Sequence, residues 1–322
     1  MSTKNIQHLA PNTQHPTPTS PLISVLMPVH NGELHLEESI KSIIHQTYKN
    51  FEFIIINDCS TDNTPGILNH YSHKDKRINV LNNDVNKGIT KSLNEGICFA
   101  TGKYIARMDV DDISAKNRFE VQVKFLENNP DIAVCGSHVI TAKTGYNEKC
   151  IPYTSNDIKA TLFFMNALIH PSAMMRSSVI IDENNFYNEK YRVAQDYELW
   201  CRLSEKHKII NLKEDLLEYR WHKSNVSILK RMEQMNNHFH VKIQMLEELL
   251  ERNISDEEKE LHAILTGYSN PDINMQLDQI KKWSDYLYLI NEEKKIYNQE
   301  SFRKIIEYRL ERVKEKVNSF KN

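Results

Sequence analysis

Residues 103–112 read Lys103-Tyr104-Ile105-Ala106-Arg107-Met108-Asp109-Val110-Asp111-Asp112, an apolar strand pattern that runs directly into three aspartates. Carboxylates this close repel one another, so the cluster is stable only with a positive charge among it. A divalent cation bridging to a diphosphate would supply that charge, because Mg²⁺ and Mn²⁺ take one or two carboxylates together with phosphate oxygens. An acidic loop or a helix N-cap is the alternative, since a helical pattern follows Asp112.

Strand-like and helix-like runs alternate on the N-terminal side of this segment. Apolar, β-branched runs predict strands, and one-sided apolar spacing predicts helices. The predicted strands cover 22–29, 51–56, 78–81 and 103–106, and the predicted helices cover 37–46, 68–72 and 89–100. The alternation predicts an α/β fold with a mostly parallel sheet flanked by helices. Such sheets bind ligands at the carboxyl ends of their strands, so the polar clusters at 29–31, 57–58 and 109–112 should converge.

Composition and motifs exclude several classes of protein. The formal net charge of −2 gives no basic field to attract nucleic acid, and no apolar stretch reaches the length of a membrane span. No Gly-x-Gly-x-x-Gly follows the first strand and no Gly-Lys-Ser/Thr loop occurs, so neither a dinucleotide site nor a P-loop is indicated. The five cysteines are far apart and include no C-x-x-C pair, which favours a reducing, cytoplasmic location.

Three parts are predicted along the chain. Residues 1–20 are rich in Asn, Gln, Thr and Pro and are expected to form a disordered tail. Residues 21–227 hold the α/β domain, which continues past the aspartates with further helices over 118–128 and 157–164. Residues 228–322 show long charged helices with apolar residues at spacings of three and four, and they predict a helical C-terminal region.

Taken together, six segments resemble inverting family 2 glycosyltransferases with the Rossmann-like GT-A fold, most closely the bacterial branch that builds lipooligosaccharide, capsule and O-antigen. The segments are 24–32, 42–48, 56–62, 86–88, 102–112 and 195–200. The resemblance implies metal-dependent transfer of a hexose or N-acetylhexosamine from a UDP-sugar to a hydroxyl of a cell-surface glycan, with Mn²⁺ or Mg²⁺ as cofactor. A dTDP-rhamnose-type transferase and a non-catalytic nucleotide-sugar-binding scaffold remain the alternatives.

The resemblance also assigns the donor-binding residues. Asp58 would accept a hydrogen bond from uracil N3–H, although a turn or capping role is the alternative. Asp109 would reach the ribose, Asp111 would bind the metal, and Asp112 would support the loop or touch a sugar. Further donor-side candidates are Pro28, His30, Asn31, Asn86, Lys87, Gly88 and Arg107.

On the acceptor side, Asp196 matches the aspartate expected to take the proton of the attacking hydroxyl. An N-cap role is the alternative. His222 is a second candidate metal ligand or a structural residue. His170 and Trp200 are candidates for contact with the acceptor. The alternative for His170 is a place in a turn set by Pro171, and the alternative for Trp200 is a core position.

Two positions depart from the family pattern. His30 stands where Tyr is common, and it can still stack beneath a base. Cys59 follows Asp58 where Gly is usual. If that position needs a positive φ, Cys would be strained by about 1 kcal/mol, and the loop is expected to have adapted.

The final helix has a composition that suits several partners. Residues 301–322 carry seven Lys or Arg and three Glu beside an apolar stripe. A basic amphipathic helix can lie on an anionic membrane, which would suit a lipid-linked acceptor and a position on the inner face of the cytoplasmic membrane. A homodimer contact and plain intramolecular packing are the alternatives.

Overall fold

The computed structural model describes residues 20–141, 152–221, 226–271 and 277–319. The first nineteen residues of the predicted tail, Cys150 and the candidate ligand His222 lie outside the described residues. The strands are β1 (Ile23–Val29), β2 (Phe51–Asn57), β3 (Ile78–Asn82), β4 (Tyr104–Arg107), β5 (Ile113–Ser114), β6 (Ile132–Thr141), β7 (Met174–Arg176) and β8 (Lys208–Tyr219). They form one sheet in the order β3-β2-β1-β4-β7-β6-β8-β5.

The predicted parallel arrangement is confirmed for the first half of the sheet. Strands β3, β2, β1 and β4 are parallel neighbours. The second half is mixed: β7 is antiparallel to both β4 and β6, β8 is parallel to β6, and β5 is antiparallel to β8. The sequence pattern missed β5, β7 and β8. The first two are too short to show a period, and in β8 the charged residues at 213–215 interrupt the apolar pattern.

Helices cover both faces of the sheet. They are α1 (Leu36–Ile44), α2 (Thr64–Lys74), α3 (Ile89–Phe99), α4 (Arg118–Asn128), α5 (Ser155–Leu162) and α6 (Gln195–Ser204). Successive residues of β1 face opposite cores: Val25 packs with α1, α2 and α4, while Leu26 packs with α3, α5 and α6. Burial on both faces explains why β1 and β2 read as continuous apolar runs.

Pro28 lies inside β1 without costing the sheet a hydrogen bond. The carbonyl of Leu26 accepts from Met108 N on the β4 side, and that of Val29 accepts from Asp58 N on the β2 side. Because sides alternate along a strand, Pro28 faces the β4 side, beyond the last paired residue, Arg107. The proline therefore marks the point where β4 leaves β1.

The C-terminal helices form a core of their own against the α/β domain. They are α7 (Val226–Leu229), α8 (Arg231–Leu250), α9 (Asp256–Leu265), α10 (Leu277–Lys294) and α11 (Gln299–Ser319). Their apolar residues pack with Phe163 and Phe164, which directly follow α5. Within the described ranges, no helix has the length and apolar character needed to cross a bilayer.

The prediction that α11 presents an apolar face to a membrane or partner is wrong. The stripe of α11 is buried in the helical core, with Phe302 fully inaccessible and Ile306 and Val313 nearly so. The structure thus shows intramolecular packing, the third of the alternatives that the sequence left open. Only the polar, basic side of α11 remains at the surface.

Candidate functional site

The loops after β1 and β2 are tied to each other. Nδ1–H of His30 donates to the carbonyl of Asp58 at 2.8 Å, and this fixes the tautomer because a carbonyl can only accept. Asn31 takes a left-handed φ of 54°. Its amide N donates to Ser60 Oγ at 3.0 Å and its Oδ1 accepts from Thr61 N at 2.8 Å. The two strand ends thus form one rigid rim, with the exposed ring of His30 on it.

The carboxylate of Asp58 organises the next loop. It is only 3% exposed. Oδ1 accepts from Asn83 Nδ2 at 2.9 Å and from Lys87 N at 2.8 Å, while Oδ2 accepts from Gly88 N at 2.8 Å. Gly88 has φ 84° and ψ 161°, a region open almost only to glycine. Asp58 therefore stabilises the turn, and contact with a base would use its one remaining lone pair, on Oδ2.

Cys59 adopts a left-handed backbone, so the loop has not adapted to the loss of glycine. Its φ is 59°. The thiol donates weakly to the carbonyl of Asp84 at 3.5 Å. A side chain with Cβ is disfavoured at this φ, and the strain lies at the edge of the site.

Replacing Cys59 should therefore stabilise the protein. We expect Cys59→Gly to raise the free energy of unfolding by up to about 1 kcal/mol, because glycine removes the clash of Cβ at positive φ. Chemical denaturation measures the change. Cys59→Ala is the matched control, since it removes the same thiol but keeps Cβ. Equal effects of the two variants would contradict the strain argument.

Three aspartates after β4 form a compact cluster. One carboxylate oxygen from each of Asp109, Asp111 and Asp112 lies within 4.8 Å of the others. Asp112 is fully buried: its Oδ1 accepts from Arg220 N at 3.0 Å, whereas Oδ2 has no hydrogen-bond partner among the described residues. Burial, with repulsion from Asp109 and Asp111, raises the pKa of Asp112 to about 9. A buried oxygen without a partner beside two more carboxylates fits a hard divalent cation.

Two buried guanidinium groups lie against this cluster. Arg107 is 1% exposed, and its Nη2 donates to Asp109 Oδ1 at 2.5 Å. Arg118 is fully buried and donates to the carbonyls of Arg107 at 2.9 Å and Ala173 at 3.2 Å. Burial lowers the pKa of Arg118 to about 10, and the charge of Asp112 opposes that shift. The positive charge that the acidic loop needs is thus partly supplied from the protein interior.

The end of β8 closes the cluster from the other side. The Nε–H of Arg220 donates to the carbonyl of Asp111, and its Nη1 pairs with Glu38 on α1. Ser39, the next residue of α1, donates from Oγ to the carbonyl of Asp109 at 3.0 Å. The backbone of the acidic loop is therefore held between α1 and the segment that follows β8.

The raised pKa of Asp112 predicts proton release on cation binding. Below about pH 9 the free protein keeps Asp112 protonated, and a bound Mg²⁺ or Mn²⁺ requires the carboxylate. We therefore expect roughly one proton to be released per ion at pH 7.5, and apparent affinity to rise with pH up to about 9. Titration calorimetry in two buffers of different ionisation enthalpy measures the proton count. A count of zero would show that Asp112 is already ionised.

Asp196 is the second residue of α6. It is half-buried, and its Oδ2 accepts from Asn166 Nδ2 at 3.0 Å. Burial raises the pKa of Asp196, the hydrogen bonds from Tyr197 N and Asn166 counter this, and the charge of Asp109 adds to the rise. The interaction with Asp109 places Asp196 near the acidic cluster. Glu198, the next carboxylate along α6, pairs with Arg202 at 2.9 Å and faces elsewhere.

The two acceptor-side candidates lie deeper than expected. His170 is 8% exposed, and its Nε2 shares a 2.7 Å hydrogen bond with the hydroxyl of Tyr187. Burial lowers the pKa of His170 well below its ordinary value, so the ring is neutral. Trp200 is fully buried, with its ring 5.9 Å from that of His170. The acceptor-side prediction for Trp200 is therefore wrong, and the core alternative is what the structure contains.

The remaining donor-side candidates line the rim. Asn86 and Lys87 are exposed in the loop anchored by Asp58, and Lys87 Nζ pairs with Glu95 at 2.5 Å. That ion pair holds the Lys87 ammonium toward α3. Val110 contributes to the same rim, because a Cβ on Gly32 would meet its Cγ2 at 2.7 Å. Only glycine fits under the acidic loop at that point.

Three supporting residues escaped the sequence reasoning. Asn166 lies in a stretch without periodicity, and nothing in its neighbourhood indicates a contact with Asp196. Arg118 reads in the sequence only as the first residue of a helix, yet it is fully buried. Asn83 differs, because it sits at a predicted strand end and could have been grouped with the other polar strand ends.

The sheet order and the acidic loop at its carboxyl edge define the GT-A class of glycosyltransferases. The sequence profile of Glycosyl transferase family 2 matches residues 24–183. An uncharacterized glycosyltransferase of Haemophilus influenzae is 37% identical over 225 residues, which is 66% of this chain and 70% of that protein. The chain belongs to glycosyltransferase family 2.

Other relatives agree with this assignment. The O-antigen biosynthesis glycosyltransferase WbnJ of Escherichia coli is 32% identical over 211 residues, 62% of this chain and 80% of that protein. The S. aureus TarS 1–349 structure in complex with UDP has a TM-score of 0.59 at 16% identity, covering 88% of this chain and 90% of that chain. The mannosyltransferase PcManGT of Pyrobaculum calidifontis, in complex with GDP-Man and Mn²⁺, has a TM-score of 0.59 at 15% identity and covers 94% and 77%. The two structures share the fold.

Proposed function

We propose that the protein is a metal-dependent inverting glycosyltransferase that moves a hexose or N-acetylhexosamine from a UDP-sugar to a hydroxyl of a cell-surface glycan. The observation that carries the proposal is the buried Asp112 oxygen without a partner, beside Asp109 and Asp111. A site for a diphosphate and its cation needs such a cluster of carboxylates.

The cation is assigned to the acidic loop. Asp111 would be its main protein ligand, with the Asp112 oxygen as a further donor, and Mg²⁺ and Mn²⁺ both suit carboxylate oxygens. When bound, the ion stabilises the charge that develops on the leaving diphosphate. Arg107 holds Asp109 in place through its 2.5 Å hydrogen bond, which leaves the second oxygen of Asp109 available to a ribose hydroxyl. His222 stays a proposed second ligand.

The nucleoside half of the donor is assigned to the rim formed by the loops after β1, β2 and β3. The exposed His30 ring offers a stacking surface, and Asp58 offers an acceptor for N3–H of uracil or thymine. Pro28 and Asn31 would lie beneath the nucleoside. Gly88 allows the backbone conformation in which its N–H donates to Asp58. TarS binds UDP and UDP-GlcNAc according to its structures, which supports a UDP-sugar here.

The chemistry of transfer is assigned to Asp196. An inverting transfer is a single displacement, in which the acceptor hydroxyl attacks the anomeric carbon, loses its proton and the diphosphate leaves. Asp196 would take that proton, because its raised pKa makes it a stronger base than an exposed aspartate while the Asn166 hydrogen bond keeps it oriented. His170, neutral and buried, would support the acceptor side of the cleft from below.

The experiment that tests the proposal is thermal stability against a panel of nucleotides and nucleotide sugars, each with Mn²⁺, Mg²⁺ or EDTA. A ligand at about 100 times its dissociation constant stabilises by roughly 2.7 kcal/mol, which is a readable shift. We expect UDP and at least one UDP-sugar to stabilise the protein, and EDTA to remove the effect. The most effective sugar then serves as donor in a transfer assay.

Each alternative gives a different result in the same panel. Preference for dTDP and dTDP-rhamnose would show that the donor is dTDP-rhamnose and not a UDP-sugar. The proposed role of Asp58 would be unchanged, because thymine carries the same N3–H as uracil. Stabilisation by UDP-sugars with no turnover on any glycan acceptor would favour the non-catalytic scaffold. Preference for GDP-mannose would make the donor resemble that of PcManGT.

The acceptor is proposed by analogy with a relative. WbnJ, at 32% identity, takes part in O-antigen biosynthesis, so we propose a lipid-linked glycan at the inner face of the cytoplasmic membrane. Peripheral membrane association is part of this proposal. Because the apolar stripe of α11 is buried, that association requires another surface.

A further inference from the structure

The segment that leads into α6 contains a strained residue. Ala194 lies two positions before Asp196 and has φ 65° and ψ 17°, in the left-handed region. Alanine is disfavoured there by roughly tenfold, because its Cβ crowds the following carbonyl oxygen. Such a conformation persists only where neighbouring groups fix the backbone. The contacts around Ala194 therefore bear on the aim of the proposed base.

Helix α3 fixes the first part of this segment. The side-chain amide of Asn94 pairs with both backbone groups of Tyr187: its Nδ2 donates to the carbonyl at 2.9 Å, and its Oδ1 accepts from the N–H at 3.0 Å. Thr90 Oγ1 donates to the carbonyl of Tyr191 at 2.7 Å, in a buried contact. These hydrogen bonds fix the segment up to Tyr191, three positions before Ala194.

Helix α8, from the C-terminal helical region, contacts the last part of the segment. Asn237 Nδ2 donates to the carbonyl of Val193 at 3.0 Å. That carbonyl belongs to the planar peptide unit directly before the Cα of Ala194, so the hydrogen bond fixes the plane whose orientation sets the φ of Ala194. The ring of His238, the next residue of α8, lies 4.7 Å from the ring of Tyr197. Helix α8 thus contacts both the strained turn and α6 itself.

We propose that Asn237 is a positioning residue, through which the C-terminal helices aim the carboxylate of Asp196 at the acceptor hydroxyl. The proposal rests on the function proposed above and gives the helical region a part in the transfer. Without the hydrogen bond from Asn237, Ala194 would turn toward the right-handed region that alanine prefers. The first turn of α6 would then move, and Asp196 would lose its contact with Asn166.

The kinetics of Asn237→Ala test this role. Loss of one hydrogen bond to the backbone should lower kcat by about fivefold to tenfold. The KM for the nucleotide sugar should stay within about twofold, because the substitution acts on the aim of the base and not on the donor loops. Asn236→Ala is the matched control: Asn236 is the exposed neighbour on α8, and its Oδ1 accepts from the hydroxyl of Tyr268 at 2.7 Å, within the helical region. Its kcat should equal that of the unchanged protein.

A second substitution separates aiming from stability. Glycine adopts the left-handed region about as readily as the right-handed one, so it does not depend on Asn237 to keep that conformation. In the Ala194→Gly background, Asn237→Ala should therefore lower kcat by less than about twofold. A merely structural Asn237 would lower the melting temperature in both backgrounds and leave the kcat of the folded protein unchanged. Equal losses of kcat in both backgrounds, or a change in KM alone, would overturn the proposal.

Hydrogen exchange reports on the segment without relying on activity. The backbone amides of residues 191–198 should exchange about fivefold faster in Asn237→Ala than in the unchanged protein, and Asn236→Ala should leave their exchange unchanged.

The two measurements together separate this proposal from the proposed function. Transfer by the unchanged protein, with neither kcat nor exchange altered in Asn237→Ala, would overturn the positioning role and leave the transferase standing. Faster exchange with an unchanged kcat would also overturn it, because Asn237 would then fix the segment without serving the reaction. A protein that turns over no nucleotide sugar would contradict the proposed function, and the role of Asn237 in transfer would fall with it.

Discussion

Asp111→Asn is expected to abolish sugar transfer while leaving the fold intact. The substitution keeps the shape of the side chain but removes the charge of one of three carboxyl groups whose oxygens lie within 4.8 Å of each other. Loss of a charge that holds the cation removes several kcal/mol of stabilisation from the leaving diphosphate, so kcat/KM should fall by at least about 1,000-fold. A transfer assay with the best nucleotide sugar from the thermal panel measures it.

The stability of the same variant gives a second, opposite prediction. Without metal, Asp111→Asn should melt at the same temperature as the unchanged protein or higher, because repulsion within the cluster falls. The pKa of Asp112 should fall for the same reason, since Asp111 is one of the charges that raise it. Asp285→Asn, an exposed aspartate on α10, is the control and should keep full activity. Turnover near normal for Asp111→Asn would remove the metal from the mechanism.

The N-terminal half of the fold could be predicted because its signals are local. Val25 and Leu26 belong to a run that is apolar at every position, which indicates a strand buried on both faces. The polar residues at the ends of such strands must then share one edge of the sheet, so the meeting of His30 with Asp58 follows from topology. Strand β8 could not be read in this way, since its charged residues at 213–215 interrupt the apolar pattern.

Contacts between residues far apart in the sequence could not be predicted. Asp112 reads in sequence like Asp111, yet it is fully buried and accepts from Arg220, 108 positions away. The stripe of α11 has the composition of a membrane-surface helix, and it is a core element because Phe163, Phe164 and the neighbouring C-terminal helices pack with it. The composition of a helix face shows which contacts that face could make. Whether the face is buried depends on which other part of the chain packs against it.

Asp196→Asn is expected to lower kcat by about 100- to 10,000-fold without weakening donor binding. The amide cannot take a proton from the acceptor hydroxyl, but it can still accept a hydrogen bond from Asn166, so the start of α6 should keep its geometry. Thermal stabilisation by UDP and metal should be unchanged. Glu198→Gln is the matched control on the same helix: its carboxylate pairs with Arg202, so kcat should stay within a few-fold of the unchanged protein.

The pH profile separates a base from a merely structural carboxylate. Burial raises the pKa of Asp196, and the base works only when ionised, so kcat should fall as pH drops through that raised pKa and level off above it. Asn166→Ala removes a hydrogen bond that favours the ionised form, so the acidic limb should move to higher pH. In Asp196→Asn the limb should disappear along with most of the rate. If the limb stays in place in both variants, the proton goes to another group, and Asp196 serves only to begin α6.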